Sequence, residues 1–504
     1  MPDTLLHHGL DAGGAPAAPR SAIVDLGSNS VRLVMFEGLG RNPVPIFNEK
    51  AVLRLGRGLQ STGRLNEAGV ALALRVMARY NAIARAMGAD PFEVLATAAV
   101  RDAANGPEFV ANLQARMPGV PIRVLTGHEE AALSCAGVLC GIPGADGIVA
   151  DIGGGSLELV RIEGGAVRNS TSLGLGVIRL SDRAEGDLDR ARMVAEADLS
   201  AVGWLPDGAE RDLYLVGGAW RALARVHMQA VGYPLSIVHH YTLGRDAARD
   251  LAASLLTPLR RGQDRMPGTP RRRVEDLPYA ATVLRRLLRQ TGARRVVFSA
   301  NGIREGWFMQ QVPAAVRAMD PVLAAGHGIA AQYGRDTRLP PALVAWTAPL
   351  FPHEAADDAR LREAACWMSD VGSHDHPDYR AEQAFLRILR QPGIALAHPD
   401  RAALALTMAL RYEAEPDAPF LLSARGLLDP AAAARAEVLG TALRLAYTLS
   451  AGTPALLAGA NLRVVPGRLS LRLAEGSGVF AGDGIQRRLD RLAAAMGLQA
   501  EPLG

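Results

Sequence analysis

Two stretches of this chain share one uncommon pattern of residues. The first runs Asp25-Leu-Gly-Ser-Asn-Ser-Val-Arg-Leu-Val, and the second, Asp151-Ile-Gly-Gly-Gly-Ser-Leu-Glu-Leu-Val, aligns with it without a gap. Each stretch follows a short apolar run and leads into another, which predicts a strand, a tight turn and a second strand. One such hairpin is common and usually binds nothing. Two copies with matching flanks favour a duplicated α/β domain that grips a polyphosphate from both sides.

The residue types in the two turns suit a phosphate group. Glycine lets backbone N–H groups approach an anion without a Cβ in the way, and small hydroxyls add donors. Asp25 and Asp151 open the turns, where a divalent cation shared with phosphate oxygens would lie. We therefore predict phosphate contacts from Asp25, Gly27, Ser28, Asn29 and Ser30 in the first turn, and from Gly153, Gly154, Gly155 and Ser156 in the second.

Composition excludes several classes of protein. Lys50 is the only lysine, so neither a Walker-A loop, which needs Gly-Lys-Ser/Thr, nor a Schiff-base enzyme is expected. The net charge is only +4, so we expect no nucleic-acid partner. Three cysteines form neither a disulfide framework nor a zinc signature, which favours a reducing cytoplasm. No apolar run has the length of a signal peptide or of a spanning helix, so no membrane contact is expected.

The order of patterns along the chain predicts a duplicated α/β core followed by a helical domain. Residues 1–19 are predicted to form a flexible tail. Strands alternate with helices over 20–137 and again over 138–312, which predicts two lobes around a cleft. From residue 313 to 504 the chain is rich in Ala, Leu and Arg with helical spacing, and strand patterns return only from about residue 450, where a small terminal subdomain is possible.

Five separated motifs occur in one order. They are Val24 to Ser30, Thr97-Ala-Ala-Val-Arg101, Thr126-Gly-His-Glu-Glu-Ala131, Asp151 to Glu158, and Arg304-Glu-Gly306. Together they resemble the exopolyphosphatase/guanosine-pentaphosphatase (Ppx/GppA) family, a branch of the actin, Hsp70 and sugar-kinase superfamily. The resemblance implies two ribonuclease-H-like (actin-like) lobes with a cleft between them, and an HD-like helical C-terminal domain.

The resemblance also implies an activity. Family members hydrolyse a terminal phosphoanhydride with Mg²⁺, releasing orthophosphate from inorganic polyphosphate or from the 5′ end of guanosine pentaphosphate. Position by position, Glu130 takes the place of the catalytic general base, Arg101 that of a phosphate-contacting arginine, and Asp151 and Glu158 those of carboxylates near the metal. The resemblance further implies a homodimer, with K⁺ as a candidate activator.

Local patterns leave some roles open. Thr126 and Glu129 have capping-box spacing, so Glu129 is expected to serve the helix end. Glu130, about 100° further round the helix, could also serve the helix N-terminus, and the family position is what favours a place facing the cleft. Arg101 could bind phosphate or form an ion pair at the end of a helix that we expect to begin near Asp102. Arg32, which stands where the second hairpin has Glu158, could face phosphate or solvent. The pair Gly217-Gly218 could be a nucleotide-base turn, counted here with the phosphate-binding residues, or a plain strand-to-helix connection.

The helical domain contains an incomplete metal motif. Asp370 matches the aspartate of an HD-type His-Asp pair, but Ser369 stands where the histidine would be. We therefore predict that this region holds no metal.

Several functions remain open at this stage. The leading prediction is an exopolyphosphatase, with a guanosine-pentaphosphate phosphohydrolase as its rival. A phosphotransferase of the sugar- or acetate-kinase type shares the doubled hairpins. A non-catalytic sensor of guanosine tetra- or pentaphosphate would retain the cleft alone.

Overall fold

The computed structural model describes residues 18–256, 274–476 and 482–503. Most of the tail predicted for residues 1–19 therefore lies outside the described residues. Within these ranges, every helix is too short or too polar to span a bilayer. The chain divides into two compact units, one ending at Arg317 and the other beginning at Ala318. Both predicted α/β domains lie within the first unit.

A five-stranded sheet forms the first half of the first unit, in the order β3-β2-β1-β4-β5. The first three strands pair antiparallel, whereas β1, β4 and β5 run parallel. The elements are β1 (Arg20–Leu26), β2 (Ser30–Glu37), β3 (Pro45–Val52), α1 (Leu59–Thr62), α2 (Glu67–Ala86), β4 (Ala89–Ala96), α3 (Ala98–Asp102), α4 (Gly106–Arg116), β5 (Ile122–Val124) and α5 (Gly127–Gly141). Helix α2 begins where the Asn66 side chain accepts a hydrogen bond from Gly69 N, and its buried face packs on the apolar core of this sheet.

The second half repeats this arrangement with one strand added. Its sheet has the order β10-β11-β9-β6-β7-β8, so β6 to β9 and β11 occupy the places of β1 to β5. The elements are β6 (Gly147–Ile152), β7 (Leu157–Glu163), β8 (Ala166–Leu173), α6 (Val177–Arg183), α7 (Leu188–Ser200), a 3₁₀ turn (Leu205–Gly208), β9 (Asp212–Val216), α8 (Gly218–Ala230), β10 (Tyr241–Gly244), α9 (Arg245–Leu256), α10 (Leu277–Thr291), β11 (Arg295–Phe298), α11 (Ile303–Gln311) and α12 (Ala314–Arg317). The predicted duplication is confirmed.

Helices α5 and α11 cross at unusually short range. A Cβ at Gly306 would lie 1.9 Å from the carbonyl oxygen of Leu133, and one at Gly137 would lie 2.0 Å from that of Gly302. Only glycine permits such an approach of two backbones. The packing is completed by an apolar cluster that includes Trp307 and residues of both helices. Gly306 of the Arg-Glu-Gly motif therefore holds α11 against the helix that carries Glu130.

The second unit is mainly helical, as predicted. Its longest helices, α17 and α19, pack against each other, and a three-stranded sheet with the order β12-β13-β14 lies near its end. The elements are α13 (Pro321–Tyr333), α14 (Leu339–Thr347), a 3₁₀ turn (Ala348–Leu350), α15 (Ala356–Met368), α16 (Arg380–Arg390), α17 (His398–Arg411), a 3₁₀ turn (Pro419–Leu421), α18 (Leu422–Arg425), α19 (Pro430–Ser450), α20 (Pro454–Leu457), β12 (Ala460–Val465), β13 (Arg468–Leu473), α21 (Asp483–Ala495) and β14 (Gln499–Ala500).

Hydrogen bonds fix the segment that contains Ser369 and Asp370. Asp370 accepts a hydrogen bond from Nη2 of Arg335 at 2.9 Å. The Ser369 hydroxyl donates to the carbonyl oxygen of Cys366 at 2.7 Å and shares a second hydrogen bond with the Tyr447 hydroxyl. Arg335 therefore supplies the positive charge beside Asp370.

Candidate active site

The two Gly/Ser turns face and touch each other. In each, the amide of the first glycine donates to the serine carbonyl that closes the turn: Gly27 to Ser30 and Gly153 to Ser156, both at 3.0 Å. A Cβ at Gly155 would lie 2.8 Å from Oγ of Ser28 on the opposite turn. The first turn therefore packs directly against the second.

A cavity of about 160 Å³ lies beside these turns and collects nearly all of the predicted site residues. Arg101 does not line this cavity and instead reaches Glu130 from the side. The predicted residues that line it are Asp25, Gly27, Ser28, Asn29, Ser30, Glu130, Asp151, Gly153, Gly154, Gly155, Ser156, Glu158, Gly217 and Gly218.

Two adjacent glutamates at the start of α5 have different surroundings. Glu129 forms the predicted capping box, because its carboxylate accepts from the backbone N of Thr126 at 2.8 Å and the Thr126 hydroxyl accepts from Glu129 N. The expectation that Glu129 serves the helix end is confirmed. The side chain of Glu130 is only 7% exposed, and it lines the cavity.

Arg101 contacts Glu130 directly, with 3.3 Å between Nη1 and Oε2. It also donates to the carbonyl oxygen of Leu125 and lies 3.2 Å from the carboxylate of Asp102. The expectation of a helix beginning near Asp102 was wrong, because α3 ends there and the next helix begins at Gly106. Helix α3 begins earlier, at Ala98 directly after Thr97, so Arg101 lies in its last turn, beside α5.

The carboxylates in the cavity raise each other's pKa. Burial raises the pKa of Glu130 well above its ordinary value, and the nearby charge of Glu158 raises it further, while Arg101 opposes both effects. Burial and the neighbouring Asp151 raise the pKa of Glu158 to about 7, although Ser156 and Ser172 donate hydrogen bonds to it.

Burial also raises the pKa values of the two aspartates that open the turns. Burial raises the pKa of Asp151, although Ser134 Oγ donates to its Oδ2 at 2.5 Å and Arg221 also lowers it. Desolvation by the surrounding protein raises the pKa of Asp25 as well, even though 29% of its side chain is exposed, with Arg304 and Arg32 opposing. The site therefore concentrates negative charge that a cation would relieve.

Two arginines of the cavity received no role from the sequence. Arg304 Nε lies 3.8 Å from Oδ2 of Asp25, and Arg221 lies one turn into α8 beyond Gly217 and Gly218. Burial, and then the charge of Arg304, lower the pKa of Arg221 to about 10, so it stays charged at neutral pH. Arg304 stood in a recognised motif, and Arg221 follows a glycine turn by one helical turn. These were the signals that could have identified them.

The structure decides between the two alternatives for Arg32 but not between those for Gly217. Arg32 lies directly opposite Asp25 on β2 and lines the cavity, so it faces the cavity and not the bulk solvent. Gly217 has φ 117°, and a Cβ there would lie 2.3 Å from the carbonyl oxygen of Ile152. The tight connection between β9 and α8 is therefore sufficient to explain the glycine at this position. The alternative, a turn that binds a nucleotide base, stays untested.

Neutralising Glu158 should stabilise the metal-free protein. Because its pKa is raised in the folded state, Glu158 favours folding at low pH, and that contribution is lost as pH rises through about 7. Glu158→Gln should therefore raise Tm by roughly 2 °C or more at pH 8, with a smaller gain at pH 5. Thermal unfolding in EDTA measures this. The matched control is Glu163→Gln at the half-buried end of the same strand, and an equal gain at both pH values would contradict the prediction.

Both parts of this chain are similar in sequence to known proteins. Residues 35–315 match the sequence profile of the Ppx/GppA phosphatase family, and residues 323–502 match the profile described as exopolyphosphatase, C-terminal. Exopolyphosphatase 2 of Mycobacterium tuberculosis is 30% identical over 241 residues, which cover 44% of this chain and 75% of that protein.

Solved structures agree on the fold. The crystal structure of an exopolyphosphatase from Cytophaga hutchinsonii is 21% identical, with a TM-score of 0.53, and covers 58% of this chain and 97% of its own. A Ppx/GppA enzyme from Aquifex aeolicus is 24% identical, with a TM-score of 0.50, covering 58% of this chain and 99% of its own. The predicted two-lobed fold class is thereby confirmed.

Proposed function

This chain belongs to the Ppx/GppA phosphatase family of phosphoanhydride hydrolases, and we propose that it is an exopolyphosphatase that removes the terminal phosphate of inorganic polyphosphate. One observation supports this most: two glycine-rich turns touch each other beside a cavity that is also lined by the buried carboxylate of Glu130. A phosphoanhydride already has a good leaving group, so catalysis requires positioning of water and neutralisation of phosphate oxygens more than covalent chemistry.

In this proposal, Glu130 orients and deprotonates the attacking water. The water oxygen bonds to the terminal phosphorus, and the bond from that phosphorus to the bridging oxygen breaks. The bridging oxygen stays with the shortened chain. The Arg101 guanidinium opposes the burial that raises the pKa of Glu130, and so favours the ionised form that a general base needs. Arg221 and Arg304 supply positive charge to the phosphate oxygens.

We also propose that Asp151 and Glu158 hold Mg²⁺. They lie directly opposite each other on β6 and β7, both are buried, and each carboxylate has a raised pKa. The described residues contain no group of three or more His, Cys, Asp or Glu side chains suited to a metal. Two carboxylates still fit Mg²⁺, which takes its other ligands from water and substrate phosphate. When bound, it would neutralise phosphate charge. The homodimer and activation by K⁺ stay predictions.

Hydrolysis of guanosine pentaphosphate is a second candidate, supported by an outer cavity of about 410 Å³. It adjoins the inner one and is lined by Tyr279, which could stack on a base, and by Asp182 and Glu275, which could accept hydrogen bonds from guanine.

Phosphate release with Mg²⁺ from each substrate in turn distinguishes the candidates. The proposal expects orthophosphate from polyphosphate at the higher kcat/KM. Release from guanosine pentaphosphate alone would favour the rival, and ATP formed from ADP would indicate a phosphotransferase.

Replacing Arg101 should shift the pH dependence of the reaction. Because the Arg101 guanidinium lowers the pKa of Glu130, Arg101→Met should raise that pKa and move the acid limb of the kcat/KM profile to higher pH. Arg116→Met, on the outer surface of the same lobe, should leave the profile unchanged. An acid limb that stays in place or moves to lower pH would remove Arg101 from the control of Glu130.

A further inference from the structure

The single lysine of this chain lies in the cleft. Of 55 basic Lys and Arg residues, every one except Lys50 is arginine, and Lys50 lines the inner cavity. The other basic side chains of this set therefore all carry a guanidinium. An ammonium at this one position suggests a task that a guanidinium performs poorly.

Strand register places Lys50 in a row of charges. Asp25 lies opposite Arg32, and Arg32 lies opposite Lys50, so the three residues cross β1, β2 and β3 on one face of the sheet. Strands are about 4.8 Å apart, so Lys50 lies roughly 10 Å from Asp25 at the backbone. Its charge still acts within the cleft, where it lowers the pKa of Asp25.

Lys50 also lies where the two cavities join. Asn29 and Lys50 line both the inner cavity and the outer one. Beyond Lys50, the outer cavity is lined by Arg54 and Arg57 and also by three carboxylates, those of Asp182, Glu275 and Asp276. A chain whose terminal phosphate lies between the Gly/Ser turns would leave past Lys50.

We propose that Lys50 binds the phosphoryl group next to the scissile bond and guides the chain forward after each cleavage; this rests on the proposed cleavage of a terminal phosphoanhydride. When that bond breaks, the bridging oxygen keeps the electron pair and adds negative charge to the leaving chain. The Lys50 ammonium stabilises that charge without giving up a proton. Its three donors on a flexible stem release and rebind an advancing chain more easily than a bidentate guanidinium does.

Kinetics of two substitutions test this assignment. Lys50→Met should raise KM for polyphosphate about tenfold or more, with an unchanged Tm. Lys50→Arg should keep KM within a few-fold but release chains of intermediate length, because the chain advances poorly. Arg192→Lys, an exposed exchange on α7, should match the parent protein. Parental KM and product lengths in both Lys50 variants would overturn the proposal.

Chemical labelling tests the contact without turnover. In a Glu130→Gln background, tripolyphosphate should slow acetylation of Lys50 about tenfold, mapped by mass spectrometry, but should not protect the amine introduced by Arg192→Lys. If the parent protein releases phosphate and Lys50 is not protected, the proposal for Lys50 is wrong. If Lys50 is protected but no phosphate is released from any chain, the proposed function is wrong and the phosphate contact stands.

Discussion

Glu130→Gln should lower kcat for polyphosphate by at least ~10²-fold while KM stays close to that of the parent protein. Glutamine has nearly the shape of glutamate, and its amide oxygen can still accept from Arg101, so the cavity should keep its form. An amide cannot take a proton from water at neutral pH, so only the chemical step is lost. Steady-state phosphate release gives kcat, and calorimetric titration with tripolyphosphate gives the retained affinity.

The neighbouring Glu129→Gln provides the matched control. Glutamine can take the same place in a capping box, and Glu129 serves the end of α5 without lining the cavity. This variant should keep both its rate and its stability. Full activity in Glu130→Gln, or an equal loss in both variants, would contradict the role of Glu130 as the base.

Gly306→Ala should lower the free energy of unfolding by about 3 kcal/mol or more. The added Cβ would lie 1.9 Å from the carbonyl oxygen of Leu133 and 3.1 Å from the backbone N of Gly137. These are backbone atoms of a helix, which cannot move aside as the end of a side chain can. Because α5 carries Glu130 and α11 carries Arg304, any variant that still folds should also lose activity. Urea unfolding measures the first effect, and phosphate release the second.

Gly144→Ala is the control for this substitution. No atom lies within 4 Å of a Cβ built at Gly144, and its φ is not positive, so the change in stability should stay within about 0.5 kcal/mol. A Gly306→Ala protein as stable as the Gly144→Ala protein would show that the two helices can separate without cost.

The core of the fold could be predicted because its strands carry their own signals. The strands before and after each Gly/Ser turn are buried apolar runs, and Asn66, which caps α2, is a residue type that commonly begins a helix. The outer strands β3, β8 and β10 were missed. Of these, β3 and β8 are largely exposed or half-buried, so they lack a hydrophobic pattern, and pairing with a neighbouring strand is what forms them.

The residues of the site also differ in whether the sequence could predict them. The two turns and the role of Glu129 followed from local spacing, and the family resemblance contributed Glu130, Arg101 and Glu158. Arg221 could not be assigned, because its place beside Asp151 depends on how α8 packs after β9. The burial that raises the carboxylate pKa values is equally a property of the assembled lobes.

Hydrolysis of tripolyphosphate in ¹⁸O-labelled water tests the central claim most directly. If Glu130 directs water at the terminal phosphorus between the two turns, each orthophosphate released early in the reaction should carry one ¹⁸O, and the pyrophosphate should carry none. Label in the pyrophosphate would show attack at an internal phosphorus. That result, or the absence of orthophosphate, would contradict the account.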